Sequence, residues 1–381
     1  MPFFSPFLER FRRVTSGGTY LPEVDGLRFI ALALVAFLLH MGTYIHGHVL
    51  HLNSFSLLYS LCWNGAYGVP FFFIISGFIL SLPFARQHLL SEKKVSIKNY
   101  FFRRLTRLEP AYIISLVIYF ILRVWVMRYE TFSELLPHFF ASFFYLHNII
   151  YNAHPIVNAV AWSLEIEVQF YLLAPLLCFI YCLKNSTHRR IILCTFIIIG
   201  IILDFNQQYH IGTILNKGGN FIAGMLMTDL YLLRKKEHNS PFLTALGAGC
   251  FILSLFVPAY YVSVWFCLLK MLLTFIFFYL VLTNATLKKW LSFQPIAIIG
   301  GMCYSIYLIH QGILGSLRHR FATINFSNNN WINGTIHYII ALTIILIVSG
   351  IFFLLIEKPT MKRDWYKRFF KFTRVNERCV K

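Results

Sequence analysis

Acidic residues are scarce in this chain: 15 Asp and Glu stand against 34 Lys and Arg, a formal charge of +19 over 381 residues. Charge of either sign is scarce as well, at 13% of residues, where soluble domains carry about 25%. That shortage excludes an ordinary water-soluble domain. The eight cysteines, Cys62, Cys178, Cys182, Cys194, Cys250, Cys267, Cys303 and Cys379, fall mostly within apolar runs. They form neither a disulfide framework nor a metal-ligand pair with a nearby histidine, so they read as small packing residues and no metal is expected. No internal repeat, low-complexity tract or soluble domain is present. Nor is a cleavable signal peptide expected, because Glu23 and Asp25 crowd the first apolar run, which continues to spanning length.

What the chain has instead is apolar surface: 58% of residues are hydrophobic and 40 are Phe. This predicts an all-α polytopic membrane bundle. The basic residues gather in short loops between apolar runs, the positive-inside pattern. The positive charge therefore points to membrane lipid headgroups or a phosphate-rich ligand, not to nucleic acid. Loop charges place about ten spans, at 27–46, 57–82, 109–127, 162–183, 190–205, 217–233, 242–257, 261–283, 296–316 and 335–356, with both termini in the cytosol. Arg318 and Arg320 are the exceptions to that charge rule. Within the outer segment 128–161 a further apolar stretch, Leu135 to Ile150, contains Pro137, His138, His147 and Asn148, and predicts a re-entrant or interfacial helix. The organisation expected is a basic cytosolic arm at 1–20, a transmembrane domain at 21–357 and a basic cytosolic tail at 358–381. His46, His48 and His51 read as solvated loop residues.

The polar residues left inside the spans carry the functional argument. In Leu21–His40, Arg28 stands near the inner face and His40 follows an unbroken apolar run, roughly 18 Å away along a helix axis. An ionisable group at that depth is a functional candidate. The topology brings Glu165 and Glu167 of the fourth span and His310 of the ninth to the outer half as well. A carboxylate beside an imidazole would orient it and raise its basicity, as a general base requires. On the inner side Arg104 and Arg107, three residues apart, share a helix face with Arg28 nearby, an arrangement able to hold phosphate. An inner anion clamp and an outer base suit a donor with phosphates at one end of a long arm and a reactive group at the other. Coenzyme A thioesters have that shape.

These pieces occur in a fixed order: VDGLR (24–28) followed by His40, GVPFFFIISGFIL, RRLTRLEPAY (103–112), WSLEIEVQFYLLAP (162–175), FIAGML (221–226), YSIYLIH (304–310) and IEKP (356–359). In that order they resemble the acyltransferase type 3 family of integral membrane O-acyltransferases, over nearly the whole chain. The resemblance implies a bacterial inner-membrane enzyme that moves an acyl group, commonly acetyl, from cytosolic acyl-CoA to a hydroxyl of an envelope polysaccharide or glycolipid. It implies Arg28, Arg104 and Arg107 at the donor, and His40, Glu167 and His310 at the chemistry. His40 would be base or transient acyl carrier. Glu165 falls on a variable position. Many relatives append a soluble esterase-like domain, and none is expected here.

Two features depart from the family pattern. Pro70 stands where relatives often carry an acidic residue. Eleven residues separate Arg28 from His40, where ten are usual. On a regular helix that extra residue turns the pair about 120° apart. A π-bulge between 28 and 41 would bring both to one cavity; a snorkelling Arg28 is the other solution. The rival from another class is a transporter or flippase of lipid-linked saccharides with a His/Glu proton relay. A scaffold without chemistry leaves the convergent polar residues unexplained.

Overall fold

The computed structural model describes residues 9–14, 20–45, 56–206, 212–234, 239–258, 262–321 and 323–362, with single residues 47, 50, 237 and 365. His46, His48, His51 and nearly all of the tail lie outside the described residues, as do the side chain of Arg318 and most of the arm. Among the described residues the elements are helical. In chain order they are α1 (Pro22–Ile45), α2 (Leu57–Leu89), α3 (Ile97–Met127), α4 (Phe132–Phe143), α5 (His147–Tyr151), α6 (Ala161–Cys182), α7 (Ser186–Asn206) and α8 (Ile214–Leu232). There follow α9 (Pro241–Phe256), α10 (Val264–Thr283), α11 (Ala285–Leu291), α12 (Gln294–Gly301), α13 (Cys303–Phe321) and α14 (Asn330–Thr360).

Six of these, α1, α2, α3, α6, α10 and α14, are long and apolar enough to cross a membrane. The pair α12 and α13, bent by 70°, makes a seventh. The ten expected spans thus become six or seven by length and composition. The shortfall falls on α7, α8 and α9. α9 is apolar but has only 16 residues. α7 and α8 carry charges, and the structure pairs them internally. Asp229 accepts from buried Arg189 and, at 2.7 Å, from Arg190, while Lys217 meets Asp204 at 2.5 Å. A charge that finds its counter-charge inside the bundle no longer needs water.

The stretch 128–161 forms no span. The Thr131 side chain and Glu134 close a capping box at the start of α4, and Tyr145, with φ 59°, turns the chain into the short α5. Both helices are tied to the bundle. Tyr112 of α3 donates to Ser142 O at 2.9 Å, and Glu165 of α6 accepts from Asn148 N at 2.7 Å. The described part of the arm also docks on the bundle. Arg13 donates to Asp25 at 3.0 Å, and Lys358 donates to Arg10 O.

Two backbone irregularities position the centre. In α1 the residues Ala33–Met41 are π-helical, so the extra residue between Arg28 and His40 is absorbed by i→i+5 pairing, over nine residues and not in a single bulge. In α2 a 3-10 turn, Gly65–Tyr67, packs directly on that stretch. A Cβ at Gly65 would overlap the Leu34 carbonyl and crowd the Leu39 amide, so only glycine lets α2 seat there. Gly65→Ala should cost about 1–3 kcal/mol through overpacking. The check is thermal unfolding in detergent, where an unchanged midpoint would show that α2 does not brace the π stretch.

Candidate active site

The centre is assembled by α1, α2, α3, α6 and α13. α1 and α13 each present one imidazole, and these meet: His40 Nδ1 lies 2.8 Å from His310 Nε2, with the rings stacked at 5.1 Å. His310 is fully buried. Its Nδ1 faces two backbone carbonyls of its own helix, Tyr307 O at 2.9 Å and Ile306 O at 3.1 Å. Carbonyls only accept, so Nδ1 of His310 carries the proton and its Nε2 is a bare acceptor. His40 must then donate from Nδ1. That leaves Nε2 of His40 with a lone pair that the His310 pairing does not use. The tautomer of one ring fixes the tautomer of the other.

Below the histidines lies a cavity of about 810 Å³, counting its open mouth. Arg28, Arg104, Arg107, Glu167, Ser163 and Tyr307 are among its lining residues, whereas His40 and His310 are not. The expected neighbour of the imidazole, a carboxylate, is therefore replaced by a second imidazole. Glu167 belongs to the arginine cavity, where it accepts from Ser76 of α2 at 2.5 Å and bonds Tyr171. Glu165, two residues away on α6, points to the opposite side and holds α5.

The arginines gather as a group. Asp25 accepts from Arg28 at 2.5 Å and from Arg13 at 3.0 Å. Arg107 lies within electrostatic reach of Arg13, Arg28 and Arg104, and of Glu357. Glu357 itself accepts from Ser305 N at 3.0 Å and from the Ser305 hydroxyl. Four guanidiniums thus face three carboxylates, Asp25, Glu357 and Glu167. The Nε–H groups of Arg107 and Arg13 are buried with no hydrogen-bond partner. Unpaired buried donors are uncommon, and Arg107 lines a positively charged pocket able to take an anion. Among the described residues no group of three or more His, Cys, Asp or Glu is placed to hold a metal ion.

The acyltransferase domain family matches residues 21–371. The chain belongs to the acyltransferase type 3 family. It is 27% identical over 382 residues to O-acetyltransferase OatA of Staphylococcus aureus (strain NCTC 8325 / PS 47), covering 91% of this chain and 58% of that protein. It is 33% identical over 180 residues to the peptidoglycan O-acetyltransferase OatA of Listeria monocytogenes serovar 1/2a, covering 44% of this chain and 26% of that protein. The chain therefore spans less than two thirds of the length of these relatives. No solved structure matches it. Family membership and the apolar helices make it an integral membrane protein.

Four residues at the site were not singled out in the sequence: Ser76, Ser163, Tyr307 and Arg13. For two of them a signal existed. Ser163 lies four residues before Glu167, and Tyr307 three before His310, so each shares a helix face with a residue already named. Ser76 lies four after Phe72, whose place in the lining only the structure reveals. Arg13 gave no such signal, since nothing in the sequence docks the arm on Asp25. The two glutamates supply a contrast. Glu165→Ala leaves the buried Asn148 N–H unpaired and should cost about 1–3 kcal/mol in detergent unfolding. Glu167→Ala frees only hydroxyls that line the cavity, those of Ser76 and Tyr171, and should lower the midpoint less; equal losses for both variants would contradict the division of roles.

Proposed function

We propose that the protein transfers an acyl group, acetyl first of all, from cytosolic acyl-CoA to a hydroxyl of an envelope saccharide on the outer side of a bacterial inner membrane. Both termini are then cytosolic, and ten spans, including α7, α8 and α9, cross the bilayer. The observation that carries this reading is the stacking of two unlike sites on the same helices: an arginine-lined cavity below and an imidazole pair directly beyond its far wall.

In this reading Arg28, Arg104 and Arg107 hold the phosphates of the donor, and the unpartnered Arg107 Nε–H is the group that a phosphate oxygen would satisfy. From Arg28 to His40 the axial distance is at most ~18 Å, a span that a long thin arm bridges and a compact metabolite does not. Nε2 of His40 takes the proton of the saccharide hydroxyl as its oxygen attacks the acyl carbon. The carbon–sulfur bond breaks, and the leaving thiolate receives the proton. His310 acts as the partner that fixes the His40 tautomer, and Glu167 aligns the acceptor or the thioester through Ser76 and Tyr171. A hydroxyl is a weak nucleophile at neutral pH, so a base in reach is the minimum requirement. A relative named for peptidoglycan makes peptidoglycan the first acceptor to offer.

The test is radiolabelled acetyl-CoA given to the purified full chain with peptidoglycan fragments. Label on the glycan supports the reading. Unconsumed acetyl-CoA with saccharide moved across a vesicle membrane would instead support a flippase. Arg104→Ala and Arg107→Ala should each raise KM for acyl-CoA about tenfold, with KM for the acceptor little changed, because a charged hydrogen bond to a spectator phosphate contributes uniform binding. Equal changes in both constants would reduce the two arginines to topology anchors.

A further inference from the structure

Tyr307 meets both the donor cavity and the imidazole pair. The Tyr307 ring lines the cavity and lies 5.8 Å from the His310 ring on the other side. Its edge contact is Phe72, at 5.9 Å and 72°. Its hydroxyl makes a 2.8 Å hydrogen bond with Ser163 Oγ, from α13 to α6. The Tyr307 backbone is held separately, because its carbonyl accepts from His310 Nδ1 at 2.9 Å. The side chain can therefore swing without disturbing the His310 tautomer. Phe72 and Ser76 lie one turn apart on α2, and Ser163 and Glu167 one turn apart on α6. The result is two rungs across the bundle, Phe72–Tyr307–Ser163 above and Ser76–Glu167 below.

We propose that Tyr307, latched by Ser163, is the positioning residue that decides whether the acyl group passes to a saccharide or to water. This rests on the acyltransferase reading above. The base alone cannot make that choice. Water attacking the acyl carbon gives up its proton to His40 Nε2, the carbon–sulfur bond breaks and the thiolate is protonated, the same balance as for a saccharide hydroxyl. Discrimination must come from who reaches the thioester. With the latch closed, the ring separates the acyl group in the cavity from the base. Opening costs the Ser163–Tyr307 hydrogen bond. A polyhydroxylated acceptor replaces that bond with its own hydroxyls and draws on contacts remote from the reacting atom to drive the opening. A lone water molecule has no remote contacts to draw on.

The experiment uses the purified full chain with labelled acetyl-CoA, with and without peptidoglycan fragments, and compares Tyr307→Phe, Ser163→Ala and the double variant with wild type. Free acetate formed without acceptor should rise about fivefold in each single variant, the worth of one neutral hydrogen bond in an opening equilibrium. The ratio of transfer to hydrolysis should fall by the same factor. The double variant should do no more than either single one, because both remove the same bond. Ser163→Ala keeps the ring in place, so it carries the test should Tyr307→Phe not fold. A ratio unchanged in folded variants, or effects that multiply, would overturn the latch while leaving the acyltransferase reading standing. A wild-type protein that consumes no donor would overturn that reading itself.

Discussion

The hydrogen bond from His40 Nδ1 to His310 Nε2 is the constraint on which the rest of the arrangement depends. It joins the first long helix to the ninth predicted span, 270 residues later. Each ring has one proton to place, and the carbonyls of Ile306 and Tyr307 decide where. Once that is decided, a lone pair at His40 Nε2 follows without any carboxylate. The bond requires His40 to face α13 while Arg28, on the same helix, faces the arginine cavity. A regular helix with eleven intervening residues turns them apart; the π stretch Ala33–Met41 reconciles them. The glycine turn of α2 that seats on this stretch thus helps to set the site although it lines no part of the arginine cavity.

The second organising quantity is charge in a medium that penalises it. The bundle resolves its charges in two ways. Around α7 and α8 the ions are paired off, with Asp229 between Arg189 and Arg190, and Lys217 beside Asp204. Such pairs fix how helices meet and leave nothing for a ligand. Around the cavity the pairing is incomplete: guanidiniums outnumber carboxylates, and Arg107 keeps a buried N–H without a partner. An imbalance of that kind is stable when an anion completes it. The contrast separates structural arginines from those proposed to hold the donor better than their positions in loops do.

Much of this was legible in the sequence, and the failures have physical causes. The helical class, the family membership and the irregularity in α1 follow from apolar runs, motif order and a count of residues. Helix periodicity also separates Glu167 from Glu165. Only six or seven helices pass a test of length and composition, because α7 and α8 bury charges that are paired across the bundle, which a hydropathy pattern cannot show. The neighbours of Glu167 were not legible. Topology assigns a residue to a half of the membrane, but the tilt and packing of α6 decide which neighbours it has, and these are Ser76 and Tyr171 rather than an imidazole. Docking of Arg13 on Asp25 was invisible for the same reason, as a contact made by tertiary structure alone.

The most direct test of the central claim is the protonation pattern of the two imidazoles, read by nitrogen NMR of histidine-labelled protein in detergent at neutral pH. His40 and His310 are assigned by single replacement of each. The account predicts that both rings are neutral, with the proton on Nδ1 and a bare Nε2 in each, and that replacing His310 lets His40 populate both tautomers. A proton on Nε2 of His40 in the intact protein would contradict it, because the nitrogen assigned as the base would then have no lone pair to offer.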